Sequence, residues 1–112
     1  MRMLFGIILF PALLIPNLSY SSKNEANNGE KTFQLLCVGC HGPDGRAQTD
    51  MGKKLQAADL TSAVVQDQKN SQLLNVIKNG RGKMPAWSDK LSDSEIHAVL
   101  DYVRQFRTKS KD

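Results

Sequence analysis

Cysteine is nearly absent from this chain. There are two in 112 residues, Cys37 and Cys40. A structural zinc site takes four ligands, usually from two such pairs, so one pair argues against zinc. Strands alternating apolar and polar residues are also missing. A βαβ setting, in which a C-x-x-C pair acts as a thiol–disulfide centre, therefore finds no support. A plain disulfide between the two would close a very tight loop. Aromatic residues make up only 6% of the chain. Beyond residue 21 only Phe33, Trp87, Tyr102 and Phe106 remain. A core built from so few large side chains is small, and another source of apolar bulk is needed. No basic run with interleaved aromatics occurs, so the footprint of a nucleic-acid binder is lacking. Repeats and low-complexity segments are absent too.

Long hydrophobic runs are missing, with one partial exception. Leu4 to Ile15 is apolar apart from Gly6 and Pro11, behind the positive start Met1-Arg2-Met3. Pro16 and Asn17 end it, and Ser19, Ser21 and Ser22 follow. This layout predicts a secretory signal peptide over 1–21, cut after Ser21. The run is shorter than the roughly 20 apolar residues of a membrane span. An uncleaved anchor is the alternative, and the one route to a membrane. What remains, 22–112, is one domain of about ninety residues. The formal charge of +4 drops to +3 when Arg2 leaves with the leader. That is too weak a bias to define a partner.

The rest reads as helices and loops. Ser21 to Asn28 is polar and without period, which predicts a flexible start. Asn27 or Asn28 then caps a helix that runs into the cysteines. Phe33, Leu36, Cys37 and Cys40 fall at i, i+3, i+4 and i+7, on one face. Gly42-Pro43-Asp44-Gly45 ends that helix. The stretch to Ala58 reads as a long loop, a type usually tied to function. A weak helix spans Ser62 to Asp67. Asn70 or Ser71 caps a clearer one, with Leu73, Leu74 and Ile77 as its stripe and Gly80 as its stop. Residues 81–90 form a loop. Ser92 and Glu95 make a capping box for the last helix. Ile96, Val99, Leu100, Val103 and Phe106 line its apolar face to near Arg107. Arg104, Arg107 and Lys109 suit the negative end of its dipole.

The two cysteines sit in Cys37-Val38-Gly39-Cys40-His41. C-x-x-C-H is the attachment signature for c-type haem. Each thiol can add to a vinyl group, and the next residue can place an imidazole on the iron. The iron has a second axial position. Met84, Met51, His97 and Met3 are the candidates for it. Met3 leaves with the leader. Met51 follows His41 by only ten residues, too few to pass around a porphyrin edge. His97 lies off the apolar stripe and reads as a surface residue. Met84 precedes Pro85, which forces extended backbone, and follows Gly80 and Gly82, which let the chain bend. Met84 is the preferred ligand, and a sixth position open to a gas or peroxide is the alternative.

At this point the chain resembles a class I cytochrome c, the mono-haem His/Met family. Gly29-x-x-x-Phe33-x-x-x-Cys37 is similar to the family's first helix, where the glycine permits close crossing by the last. Val99 and Tyr102 match that partner. Cys40-His41-Gly42-Pro43-Asp44-Gly45 resembles the C-H-G-x-x-G turn, and Asp59-Leu60-Thr61 the D-L-T that places a leucine near the haem. Asn79-Gly80 with Lys83-Met84-Pro85-Ala86-Trp87 resembles the methionine loop of short bacterial cytochromes and cytochrome-like oxidase subunits. One departure concerns the imidazole. Many relatives accept its N–H on a proline carbonyl about a dozen residues on. Here Gly52-Lys53-Lys54-Leu55 fills that region; any backbone carbonyl there can still accept, and the sequence assigns the bond to no one residue.

The resemblance implies an all-α cytochrome c fold, three main helices plus a short one around a covalent haem. It implies one haem c held by Cys37 and Cys40, with His41 and Met84 on the iron. The function implied is electron transfer between Fe(II) and Fe(III) rather than enzymatic turnover, in the periplasm. The partners implied are redox proteins: an oxidase, a reductase or a dehydrogenase. Lys53, Lys54, Lys78, Arg81 and Lys83 flank the ligand loops, which predicts either a basic rim that steers an acidic partner or an ordinary solvated face. A haem subunit of a larger dehydrogenase or oxidase, or a ligand-sensing haem domain, are the alternatives. A peroxidase would need a distal acid–base group, and none stands near Met84 in sequence.

Overall fold

The computed structural model describes residues 6–8, 11 and 21–109. The side chains of 21–27 and 109 are not among them. All of the regular structure among these residues is helical, apart from one isolated bridge. Three long helices carry the fold: α1 (Ser21–Leu36), α5 (Asn70–Asn79) and α6 (Asp93–Arg104). Short ones fill the connections: α2 (Val38–His41), α3 (Asp50–Leu55), α4 (Ala63–Gln66) and α7 (Phe106–Lys109). The expected leader lies almost wholly outside the described residues. No described helix is long and apolar enough to cross a membrane.

Helix α1 begins at Ser21, earlier than Asn27 or Asn28. Nothing between Ser21 and Asn28 breaks a helix, since neither proline nor glycine occurs there. Polarity without period speaks to burial, not to backbone. The expected loop from 46 to 58 contains α3. Its cap is Thr49, whose Oγ1 accepts from Gly52 N at 2.9 Å, and Asp50 sits in its positive first turn. Helix α5 starts one residue early, with Lys69 at the cap and its N–H donating to Gln72 Oε1 at 2.9 Å. Asn70 is the first helical residue, and its side chain serves elsewhere. The capping box of α6 is as expected. Ser92 N donates to Glu95 Oε2 at 2.8 Å, and Glu95 N to Ser92 Oγ at 3.2 Å.

The central contact is α1 against α6. A Cβ placed on Gly29 would lie 2.0 Å from the carbonyl oxygen of Ala98. The helix backbones therefore touch at that point. Below the crossing, Phe33, Tyr102 and Phe106 form a three-ring cluster with centroids 5.2 to 5.5 Å apart. Tilted and edge-on rings at this range attract one another beyond their burial. Phe33, Phe106 and Ile96 are the largest side chains with essentially no exposure. Val99 and Val103 complete this cluster. Val65, Leu73 and Leu100 form a second, with Leu60 and Ile77 packed against both.

Replacing Gly29 with Ala must push α1 and α6 apart. Overpacking of this kind costs about 1–3 kcal/mol. The denaturant midpoint of G29A should fall accordingly, and an unchanged midpoint would mean that the helices slide past one another freely.

Candidate cofactor site

Segments distant in sequence close around one cavity of about 650 Å³. Cofactor sites run from about 300 to 1,000 Å³. The end of α1 and α2 contribute Phe33, Leu36, Cys37, Cys40 and His41. The end of α3 and the segment after it contribute Leu55 to Ala58 and then Leu60, and the loop after α5 contributes Arg81 to Pro85. Val99, Leu100 and Val103 of α6 form a further wall. The interior is lined mainly by aliphatic side chains.

Cys37 interrupts the helix only briefly. Its N–H still donates to Phe33 O at 2.9 Å, and its carbonyl accepts from His41 N at 2.9 Å. The helical course carries through, so both thiols and the imidazole line the same cavity, as their spacing predicted. Two features brace this turn. Thr49 Oγ1 donates to Gly39 O at 2.8 Å. Gly52 lies so close to Cys40 that an added Cβ would be 2.2 Å from its carbonyl oxygen. Helix α3 thus docks by its first turn onto the backbone of the motif. Thr49 escaped the sequence reading, although a threonine followed by aspartate is a recognisable helix start.

His41 Nδ1 lies 2.9 Å from the carbonyl oxygen of Ala58. With that N–H donated, Nε2 keeps its lone pair for a metal. The acceptor sits beyond the expected 52–55 region, and α3 is the reason. The carbonyl of Gly52 is taken by Ala57 N and that of Lys53 by Gln56 N. Ala58 follows the helix. Burial pushes the Cys37 thiol up to about 11, aided by the charge of Cys40. At neutral pH the thiol is therefore uncharged.

Met84 lines the cavity at the end of a tight turn. Arg81 N donates to Met84 O at 3.1 Å, and Met84 N to Arg81 O at 3.0 Å. Trp87 N then donates to Ile77 O at 3.0 Å, which ties the loop back to α5. Gly80 makes this return possible. Its φ is +74°, and an added Cβ would lie 2.6 Å from Met84 O. The other candidates fall elsewhere. Met51 is exposed and outside the lining. His97 is exposed, with Nδ1 at 2.7 Å from Asp93 O. Met3 lies outside the described residues.

Of the expected basic rim, Arg81 and Lys83 line the cavity. Lys53 and Lys54 are exposed on α3, away from the lining. Lys78 is engaged with Asp93 at 3.0 Å, and this contact holds the Asp93 carboxyl below its usual range, by hydrogen bond first and charge second.

The family model described as cytochrome c oxidase, cbb3-type, subunit III matches residues 24–103. The chain belongs to the class I cytochromes c. Among similar proteins, a cytochrome c6 of Gracilaria tenuistipitata var. liui is 30% identical over 92% of this chain and 93% of its own. A chloroplastic cytochrome c6 of Chlamydomonas reinhardtii is 34% identical over 81% of this chain. The cbb3-type oxidase subunit FixP of Bradyrhizobium diazoefficiens is 38% identical over 70% of it. The chain spans 61% of the Chlamydomonas protein and 27% of FixP. A solved structure, the KustC0563 c-type cytochrome, is 31% identical with a TM-score of 0.65, over 70% of this chain and 95% of that one. The cofactor of a cytochrome c is a covalent haem c, and the cavity fits it. It pairs two thiols with an imidazole whose second nitrogen is free, inside an aliphatic shell.

Changing Gly80 to Ala puts a side chain where the chain must be left-handed and where Met84 O already sits. Strain of this kind costs about 1–3 kcal/mol. Thermal unfolding of G80A should start at lower temperature, and unaltered melting would show that the loop can return by another path.

Proposed function

We propose that this chain is a soluble electron carrier of the periplasm. The observation that carries the reading is the convergence of Cys37, Cys40, His41 and Met84 on one apolar cavity. Cys37 and Cys40 hold the cofactor covalently. His41 ligates through Nε2, oriented by its bond to Ala58 O. Met84 supplies a thioether that favours the reduced state and raises the potential. Val65, Leu73, Val99, Leu100 and Val103, all buried, keep water from the centre. When bound, the haem supplies an iron that exchanges one electron between Fe(II) and Fe(III). Electron exchange rather than substrate turnover is the role proposed. Residues 1–21 act as the export signal that delivers the chain to its compartment.

A Met84→Ala holoprotein should lose the far-red methionine-to-iron band, bind carbon monoxide when ferrous, and show a lower midpoint potential. A band and potential equal to the parent's would place another group on the iron.

Arg81 and Lys83 border the cavity and steer an acidic redox partner, with Lys53 and Lys54 adding to the field. The rate of electron transfer with such a partner should fall steeply as salt rises. A flat dependence would remove the steering role.

A second reading, a haem subunit of a cbb3-type oxidase, is favoured by the match to that family model. It predicts that the native chain co-migrates with the membrane oxidase, whereas recovery as a free monomer supports the carrier.

A further inference from the structure

The segment 60–68 forms one side of the cavity, through Leu60, Val64, Val65 and Gln68. Only α4, a single turn, gives it regular structure. Its attachment comes from a buried polar staple. Gln66 is 3% exposed. Its Nε2 donates to Leu60 O at 2.6 Å and to Val103 O at 3.0 Å. Both of those residues line the cavity, one from each side of the staple. Arg104 then locks Gln66 from outside. Its Nη1 donates to Gln66 O at 2.8 Å and reaches Gln66 Oε1 at 3.4 Å. Its Nη2 donates to Gln68 O at 2.6 Å and to Asn70 Oδ1 at 2.8 Å, and its Nε to the same Oδ1 at 3.0 Å. One guanidinium thus spans from α4 to the start of α5, which a single ammonium cannot do. Arg104 does not itself line the cavity.

We propose that Arg104 and Gln66 are positioning residues for the haem wall, setting the cofactor's potential by holding 60–68 closed over it. The inference rests on the haem reading above. A ferric haem carries one more positive charge than a ferrous one, so water reaching the centre favours the ferric state and lowers the potential. The staple acts by excluding that water.

The test uses the holoprotein and variants that leave net charge unchanged: Arg104→Lys, Gln66→Met and their combination. Ser92→Ala is the control, since it weakens the α6 cap and touches no cavity carbonyl. Midpoint potentials are measured by spectroelectrochemistry where every variant is folded. R104K and Q66M should each shift the potential downward, the double variant by less than the sum, and S92A should lower stability alone. Unchanged potentials in R104K and Q66M would overturn the proposal, leaving the staple a stability element only. A shift in S92A as large as theirs would overturn it too, and so would strict additivity in the double variant. Failure of the underlying reading shows separately, in the parent, as missing covalent haem or a missing far-red methionine band.

Discussion

Where Gly29 meets the carbonyl of Ala98, two helix backbones come closer than any side chain permits. The rest of the site depends on that contact. It sets the height at which α1 crosses α6, and so where the chain delivers Cys37, Cys40 and His41. It also brings Phe33 onto Tyr102 and Phe106, the aromatic cluster seen among the described residues. A larger residue at 29 would move the thiols relative to Leu100 and Val103, which line the same cavity.

The same device recurs at smaller scale. Gly52 lets α3 rest on the Cys40 carbonyl, and Gly80 lets Met84 fold back beside the end of α5. Each segment that carries a proposed ligand is thus located by backbone against backbone. Such contacts have little freedom to adjust, whereas side-chain contacts can trade rotamers. Placement within fractions of an ångström is what the proposed axial pair, His41 and Met84, would need. Around this rigid frame the aliphatic lining needs only to be apolar and of suitable volume.

Much of this was written locally in the sequence. The C-x-x-C-H run, the Ser92–Glu95 box, the Met84-Pro85 pair and Gly29 four residues before Phe33 are short-range patterns, and each lies where its spacing implied. The misses are of two kinds. Helix α3 and the early start of α1 were hidden because a polar stretch carries no apolar period, leaving only caps as signals. The Ala58 acceptor and the Gln66–Arg104 staple join residues 17 and about 38 positions apart. No local rule relates them. Arg104 looked like an ordinary cation at a helix end, and its bonds appear only once α4 is folded against α6.

The cavity has a consequence for the life of the polypeptide. About 650 Å³ of aliphatic-lined space at the centre of so small a domain is a core that the chain does not fill by itself. Lacking its prosthetic group, the polypeptide has little to gain by closing, and the open form is the one proteases cut. Apolar walls of that extent are covered by the haem itself, so the cofactor contributes to the fold as well as to the electron exchange.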